Sequence, residues 1–250
     1  DPVYFGLNHY GWFTHVYDAH TGEDLLPKVR EMVKEKGFLP QDAEQRDQSW
    51  LDTYGMVQTI MADFPEFLPN TYDQYYLYPD YKVSHLDPNF TRADEVMAGR
   101  EKRVFTECAE VIKEGKLGDK FHAISDAHAE MMIKVAEAIA YNKNDRHILI
   151  VENNGAIANM QDDAMVEVVC ELGINGPRPM RVGNIPQFNL GLLVNQVSCE
   201  KLIVDAYFEN SYQKALEAFT LNRLINDAKK ARKVLDALIE ANKGMWPELR

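Results

Sequence analysis

The stretch Val3-Tyr4-Phe5-Gly6-Leu7-Asn8-His9 (VYFGLNH) decides how the rest of the chain is read. Val3 and Phe5 alternate with their neighbours as in a half-buried strand, and a glycine followed by a polar pair stops the pattern. A short strand therefore delivers Asn8 and His9 into a loop beside Tyr10 and Trp12. The chain starts on a structural element and on Asp1 rather than Met, so we expect that upstream chain has been removed or left out. No basic segment precedes an apolar one here, so the start does not read as a secretory signal.

Outward from this strand, helical spacing dominates. From about Ala43 to Ala62, Trp50, Val57, Ile60 and Met61 recur at helical intervals, and Pro65 ends the run. FPEFLPNTYDQYYLYPDYKVSHLDPNF, residues 64–90, carries four prolines and five tyrosines. It cannot be one long helix, so it reads as an ordered, aromatic-rich loop region, where functional groups tend to lie. A second helix is expected from Thr91, its N-cap, to Gly115, with Asp94 and Glu95 in the first turn. A third runs from Ser125 to Asn142, with Met131, Val135 and Ile139 on one face. Ile148 to Val151 switches to a compact strand, stopped by Asn153-Asn154-Gly155, and DAMVEVVCELG reads as another. GPRPMRVGNIPQF reads as a turn-rich return, and Gln196 to Asn242 as two or three helices. The expected fold is a single α+β domain over residues 1–250, dominated by helices.

The 250 residues are 46% hydrophobic and 26% charged, an ordinary globular balance long enough to bury a large core. A formal net charge of −12 disfavours nucleic acid and anionic membrane surfaces as partners, since both reward clustered Lys and Arg. No apolar run approaches the roughly 20 residues that span a bilayer. Cys108, Cys170 and Cys199 show no CxxC spacing, which suits free thiols in a reducing, cytoplasmic compartment. No GxGxxG follows a strand, so the chain builds no dinucleotide site of its own.

Several side chains are candidates for chemistry. His9, after a strand and among Asn8, Tyr10 and Trp12, suits a metal ligand or a substrate contact, and equally a packed structural histidine. His15 and His20 have no ligand-pair spacing with it, and His122 and His128, six apart, fall on different faces of a helix. Tyr72, Tyr75, Tyr76 and Tyr78 form a second group. A tyrosine beside a cation can serve as a general base, because positive charge favours phenolate; aromatic packing explains each tyrosine as well. Arg92 at a helix start is either an anion binder or a surface arginine. Asn153, Asn154 and Gly155 leave a strand end and are either ligand contacts or a simple turn.

Read together, GLNHYGWFT, LPNTYDQYYLYPD, FTRADEVMAGRE, ILIVENNGAIANMQDDAMVEVVC, IPQF and ALIEANKGMWPEL resemble glycoside hydrolase family 4, and within it the bacterial 6-phospho-α-glucosidases. The resemblance runs in order from about residue 4 to 249. It implies a helix-rich, substrate-side C-terminal domain of the lactate-dehydrogenase C-terminal type, with the family's N-terminal Rossmann domain lying before Asp1. It also implies an NAD- and Mn²⁺-dependent hydrolysis of 6-phospho-α-glucosides such as maltose 6′-phosphate, outside the usual two-carboxylate scheme. In that reaction transient oxidation at C3 acidifies the C2 proton, a base removes it, the glycosidic oxygen is eliminated, water adds and hydride returns.

Matched position by position, the resemblance makes His9 a metal ligand, Asn8 a substrate contact, Tyr72 the C2 base and Arg92 a ligand of the sugar 6-phosphate. The family's Cys-Asp pair, which supplies the second protein metal ligand and the acid, is not among these residues. Cys170 aligns with a family cysteine in a different context and is expected to be structural. The implied partners are a phosphorylated disaccharide, the missing Rossmann domain and further copies of the chain, and the chain alone is expected to be inactive. The alternatives are an α-galactosidase or 6-phospho-β-glucosidase of the same family, or a non-catalytic sugar-phosphate-binding or oligomerisation module.

Overall fold

Strand β1 (Pro2–Leu7) does not end in an open loop: it turns through Asn8 and His9 into β2 (Tyr10–Val16), an antiparallel hairpin with Leu7 opposite Tyr10 and Gly6 opposite Gly11. The two facing glycines let the strands approach. A Cβ on Gly6 would run into the Tyr10 carbonyl, and one on Gly11 would come within 2.5 Å of the Phe5 carbonyl. The computed structural model describes residues 1–39, 48–116, 127–225 and 227–250. It divides into two compact units, one of Asp1–Asp80, Ile148–Glu171 and Pro177–Arg250, the other of Tyr81–His147 and Leu172–Gly176.

In the first unit, β3 (Leu68–Pro69) extends the sheet on one side of the hairpin. On the other side come β5 (Met165–Gly173) and then β4 (Asp145–Glu152), giving the order β3-β2-β1-β5-β4, with β6 (Gly176–Pro179) paired to β5. Period-two alternation puts Phe5 and Leu7 of β1 and Val166, Val168 and Cys170 of β5 into one core. Leu192, Leu193 and Val197 of the long helix α7 (Gln187–Glu209) complete it. Burial of each large side chain there contributes roughly 1.5–3 kcal/mol. Before these come α1 (Leu26–Lys36) and α2 (Gln48–Asp63), joined by a smaller cluster of Val33, Val57 and Met61. After α7, α8 (Tyr212–Leu221) and α9 (Ala228–Ala241) pack around Ala206, Ala215 and Leu235. The chain end returns to this group, with the Tyr212 amide donating to the Arg250 carbonyl at 3.0 Å.

The aromatic-rich stretch holds two short helices, α3 (Asp73–Leu77) and α4 (Pro79–Ser84), between its prolines. In the second unit, α5 (Arg92–Glu114) starts on the expected Thr91 cap and ends at Gly115, which sits at φ 68°. α6 (Ala127–Ala140) follows, and its exit is set by Asn142, at φ 50°, whose side chain accepts the Ile174 amide at 3.0 Å. The α+β expectation therefore holds. The region read as a turn-rich return contains β6 and the beginning of α7, which starts nine residues before the expected Gln196. The expected helix starts at Ala43 and Ser125, and His122, lie outside the described residues.

Candidate functional site

Asn8 and His9 are the exposed tip of the β1–β2 hairpin, and a two-residue turn there forces His9 to φ 59°, an uncommon backbone for a residue with a Cβ. The His9 ring stacks on Tyr72, with centroids 4.9 Å apart and planes 23° from parallel. Tyr72 continues the aromatic array to Tyr75 at 5.9 Å, while Trp50 of α2 meets it edge-on at 6.2 Å. The other two tyrosines of the sequence group go elsewhere: Tyr76 stacks on buried Tyr10 at 3.8 Å, and the Tyr78 hydroxyl donates to Asp63.

Tyr72 is held by a knot of short-range hydrogen bonds. The Asn70 side chain accepts the Tyr72 amide at 3.0 Å, and the Asn70 carbonyl accepts the Asp73 amide at 3.0 Å. Both ends of this turn reach Gly11, two residues past His9. The Asn70 amide donates to the Gly11 carbonyl at 2.8 Å, and the Gly11 amide donates to Asp73 Oδ1 at 3.3 Å. Asp73 is wholly buried, and desolvation pushes its carboxyl well above the ordinary value despite the bonds from the Gly11 and Asn70 amides.

A second carboxyl supports the hairpin from β5. Glu167, opposite Gly6, accepts from the Tyr4 hydroxyl and from the His9 backbone amide. Burial raises its pKa, while these two bonds and the charge of His9 act in the other direction. Burial, reinforced by Glu167 beside Tyr4 and Asp73 beside Tyr10, raises both of those phenols, which excludes them as bases near neutral pH.

The structure thus brings Asn8, His9 and Tyr72 together. Arg92 belongs to the second unit, at the first position of α5, where its guanidinium pairs with Glu95 at 2.5 Å. Asp94 caps the same helix start through Thr91, so a phosphate at Arg92 would have to compete with two carboxylates. Asn153 resolves as a turn: its buried side chain donates to the Ile157, Met160 and Gln161 carbonyls and accepts the Ile157 amide. Cys170 is buried in the core, and burial pushes its thiol up to about 11, the opposite of an activated nucleophile. Among the described residues, no three His, Cys, Asp or Glu side chains converge to hold a metal ion. Asp73 and Glu167 escaped the sequence reading. Their only signals were an acidic residue directly after the tyrosine of NTY and one inside a hydrophobic strand.

The family model for the family 4 glycosyl hydrolase C-terminal domain matches residues 4–225. The maltose-6′-phosphate glucosidase of Bacillus subtilis (strain 168) is 49% identical over 247 residues, covering 98% of this chain and 55% of that protein. A crystal structure of a 6-phospho-α-glucosidase from gut microorganisms, in complex with NAD and Mn²⁺, is 82% identical with a TM-score of 0.95 over 100% of this chain and 57% of that one. A second, in complex with NAD and glucose 6-phosphate, is 46% identical with a TM-score of 0.92 and the same coverage. The chain spans slightly more than half the length of the relatives it matches. A family model covering most of the chain and a shared fold over its full length lead to one conclusion: the chain belongs to the family 4 glycosyl hydrolases and corresponds to their C-terminal domain.

Proposed function

We propose that this chain is the substrate- and metal-binding part, residues 1–250 acting as one domain, of an NAD- and Mn²⁺-dependent 6-phospho-α-glucosidase. The observation that carries the reading is the stacking of His9 on Tyr72, which puts a metal-binding imidazole beside a phenol. The relatives and the structures with NAD, Mn²⁺ and glucose 6-phosphate support the substrate and cofactor classes. The residues fit the cation in part: His9 is exposed at a turn tip, and Glu167 beneath it adds negative charge. They do not fit NAD, since no glycine-rich strand-to-helix turn is present among the described residues.

A cation bound at His9 would supply positive charge that favours phenolate and stabilises an anion forming beside it. This chain's residues would supply the base and the sugar contacts. Asn8 hydrogen-bonds a sugar hydroxyl, Tyr72 Oη takes the proton from the sugar C2, and the flanking Trp50 and Tyr75 rings keep water off the phenol face. Arg92 is the proposed ligand of the 6-phosphate, for which Glu95 is the competing partner. We also propose a cytoplasmic homo-oligomer. Exposed Ile203, Val204, Tyr207 and Phe208 on α7 supply apolar surface for it, and no helix among the described residues is long and apolar enough to cross a membrane. Sedimentation that finds only monomer would remove the oligomer.

The test is hydrolysis of p-nitrophenyl α-glucoside 6-phosphate with NAD and Mn²⁺. The full-length parent is expected to turn it over and the 250-residue chain to be inactive alone. An inactive parent would overturn the substrate, and an active 250-residue chain would overturn the partial-site reading.

A further inference from the structure

We propose that Asp73 is a positioning residue for Tyr72, its buried carboxyl standing in for a strand carbonyl that docks the tyrosine turn onto Gly11. The inference rests on Tyr72 acting as the base. The β2 strand presents the amide and carbonyl of Gly11 outward, next to the short strand β3, where Trp12 is already paired with Pro69. One residue further along, the Asn70 amide takes the Gly11 carbonyl, as a continuing ladder would. The chain then turns away through Tyr72, and the Asn70 carbonyl, which a continuing ladder would offer to the Gly11 amide, accepts the Asp73 amide instead. Asp73 Oδ1 takes that place at 3.3 Å.

The consequence is geometric. Gly11 lies two residues from His9 on a paired strand, and Asp73 is bonded to Tyr72 through one peptide. Two hydrogen bonds at Gly11 therefore fix the separation of the two functional rings at 4.9 Å. Asp73 has no exposed surface, so solvent does not compete for Oδ1. The role needs an acceptor rather than a charge, and an amide oxygen supplies one.

The experiment uses the full-length enzyme with Asp73→Asn and Asp73→Ala, assayed for kcat, KM and pH profile. It also uses 3-fluorotyrosine labelling and ¹⁹F NMR, with the Tyr72 resonance assigned by Tyr72→Phe. Asp73→Ala is expected to lower kcat by roughly 10–100-fold, the scale of a 1 Å misplacement, with KM changed less than about threefold. Its Tyr72 resonance should shift, while Asp73→Asn keeps both kcat and the resonance near wild type. A folded Asp73→Ala enzyme with an unmoved Tyr72 resonance would overturn the inference whatever the substrate proves to be. If Asp73→Ala does not fold, Asp73→Asn decides: retained kcat and resonance support the acceptor role, and loss of either overturns it. Failure of the wild type to hydrolyse the phosphoglucoside, with the resonance still responding to Asp73→Ala, would instead count against the substrate reading alone.

Discussion

Tyr72→Phe removes one oxygen from a ring that stays stacked on His9, so it isolates the proton-transfer role. In the full-length enzyme kcat is expected to fall by about 10²–10⁴-fold with little change in KM, measured by initial rates on p-nitrophenyl α-glucoside 6-phosphate. His9→Ala should instead raise the Mn²⁺ concentration needed for half-maximal rate. Asp73 gives a prediction about stability and pH. Its folded pKa is raised above the ordinary value of 3.8, so the folded state keeps the proton after the unfolded state has lost it. Stability contributed by this group is full below about 3.8 and declines as pH rises toward the folded pKa. Asp73→Asn has no such decline. Its urea midpoint relative to wild type should therefore climb between pH 4 and pH 8, and a flat difference would contradict a raised Asp73.

At the scale of elements, α5 was legible because its ends carry their own chemistry. Thr91 and Asp94 form a reciprocal cap, with the Thr91 amide donating to the Asp94 carboxylate at 2.8 Å, and Gly115 adopts a left-handed backbone. Thr91→Ala is expected to cost about 1 kcal/mol in urea unfolding, read from the helical signal. The cap also holds the Asp94 carboxyl below its ordinary value, so its contribution is present near neutrality and fades only as pH falls below about 3.8. The hairpin was half legible. Val3, Phe5 and Gly6 announced β1, but β2 is a run of aromatics broken by Gly11, which looks like a loop until its partner strand is known. α1 lacks a side-chain cap, and its local signals were the weaker ones, Pro27 in the first turn and Gly37 after the last. Asn8, His9 and Tyr72, which the structure brings together, were singled out through their motifs. Asp73 and Glu167 were not, because an acid bonded to a distant backbone amide leaves no local pattern.

At the scale of the whole chain, one core joins the first strand to α7, nearly 190 residues later, through Phe5, Val168 and Leu193. Leu193 has no exposed surface, and Leu193→Ala is expected to cost roughly 2–5 kcal/mol. The loss should show as a lower urea midpoint for hairpin and helix signals together.

The bond from Arg223 bears on how the chain folds as it is synthesised. Arg223 Nε donates to the Tyr76 carbonyl at 2.8 Å, across 147 residues of sequence. Translation at about 5–20 residues per second places Arg223 roughly 7–30 s behind Tyr76. Throughout that interval α3 lacks this anchor, which can form only after α8 has been synthesised.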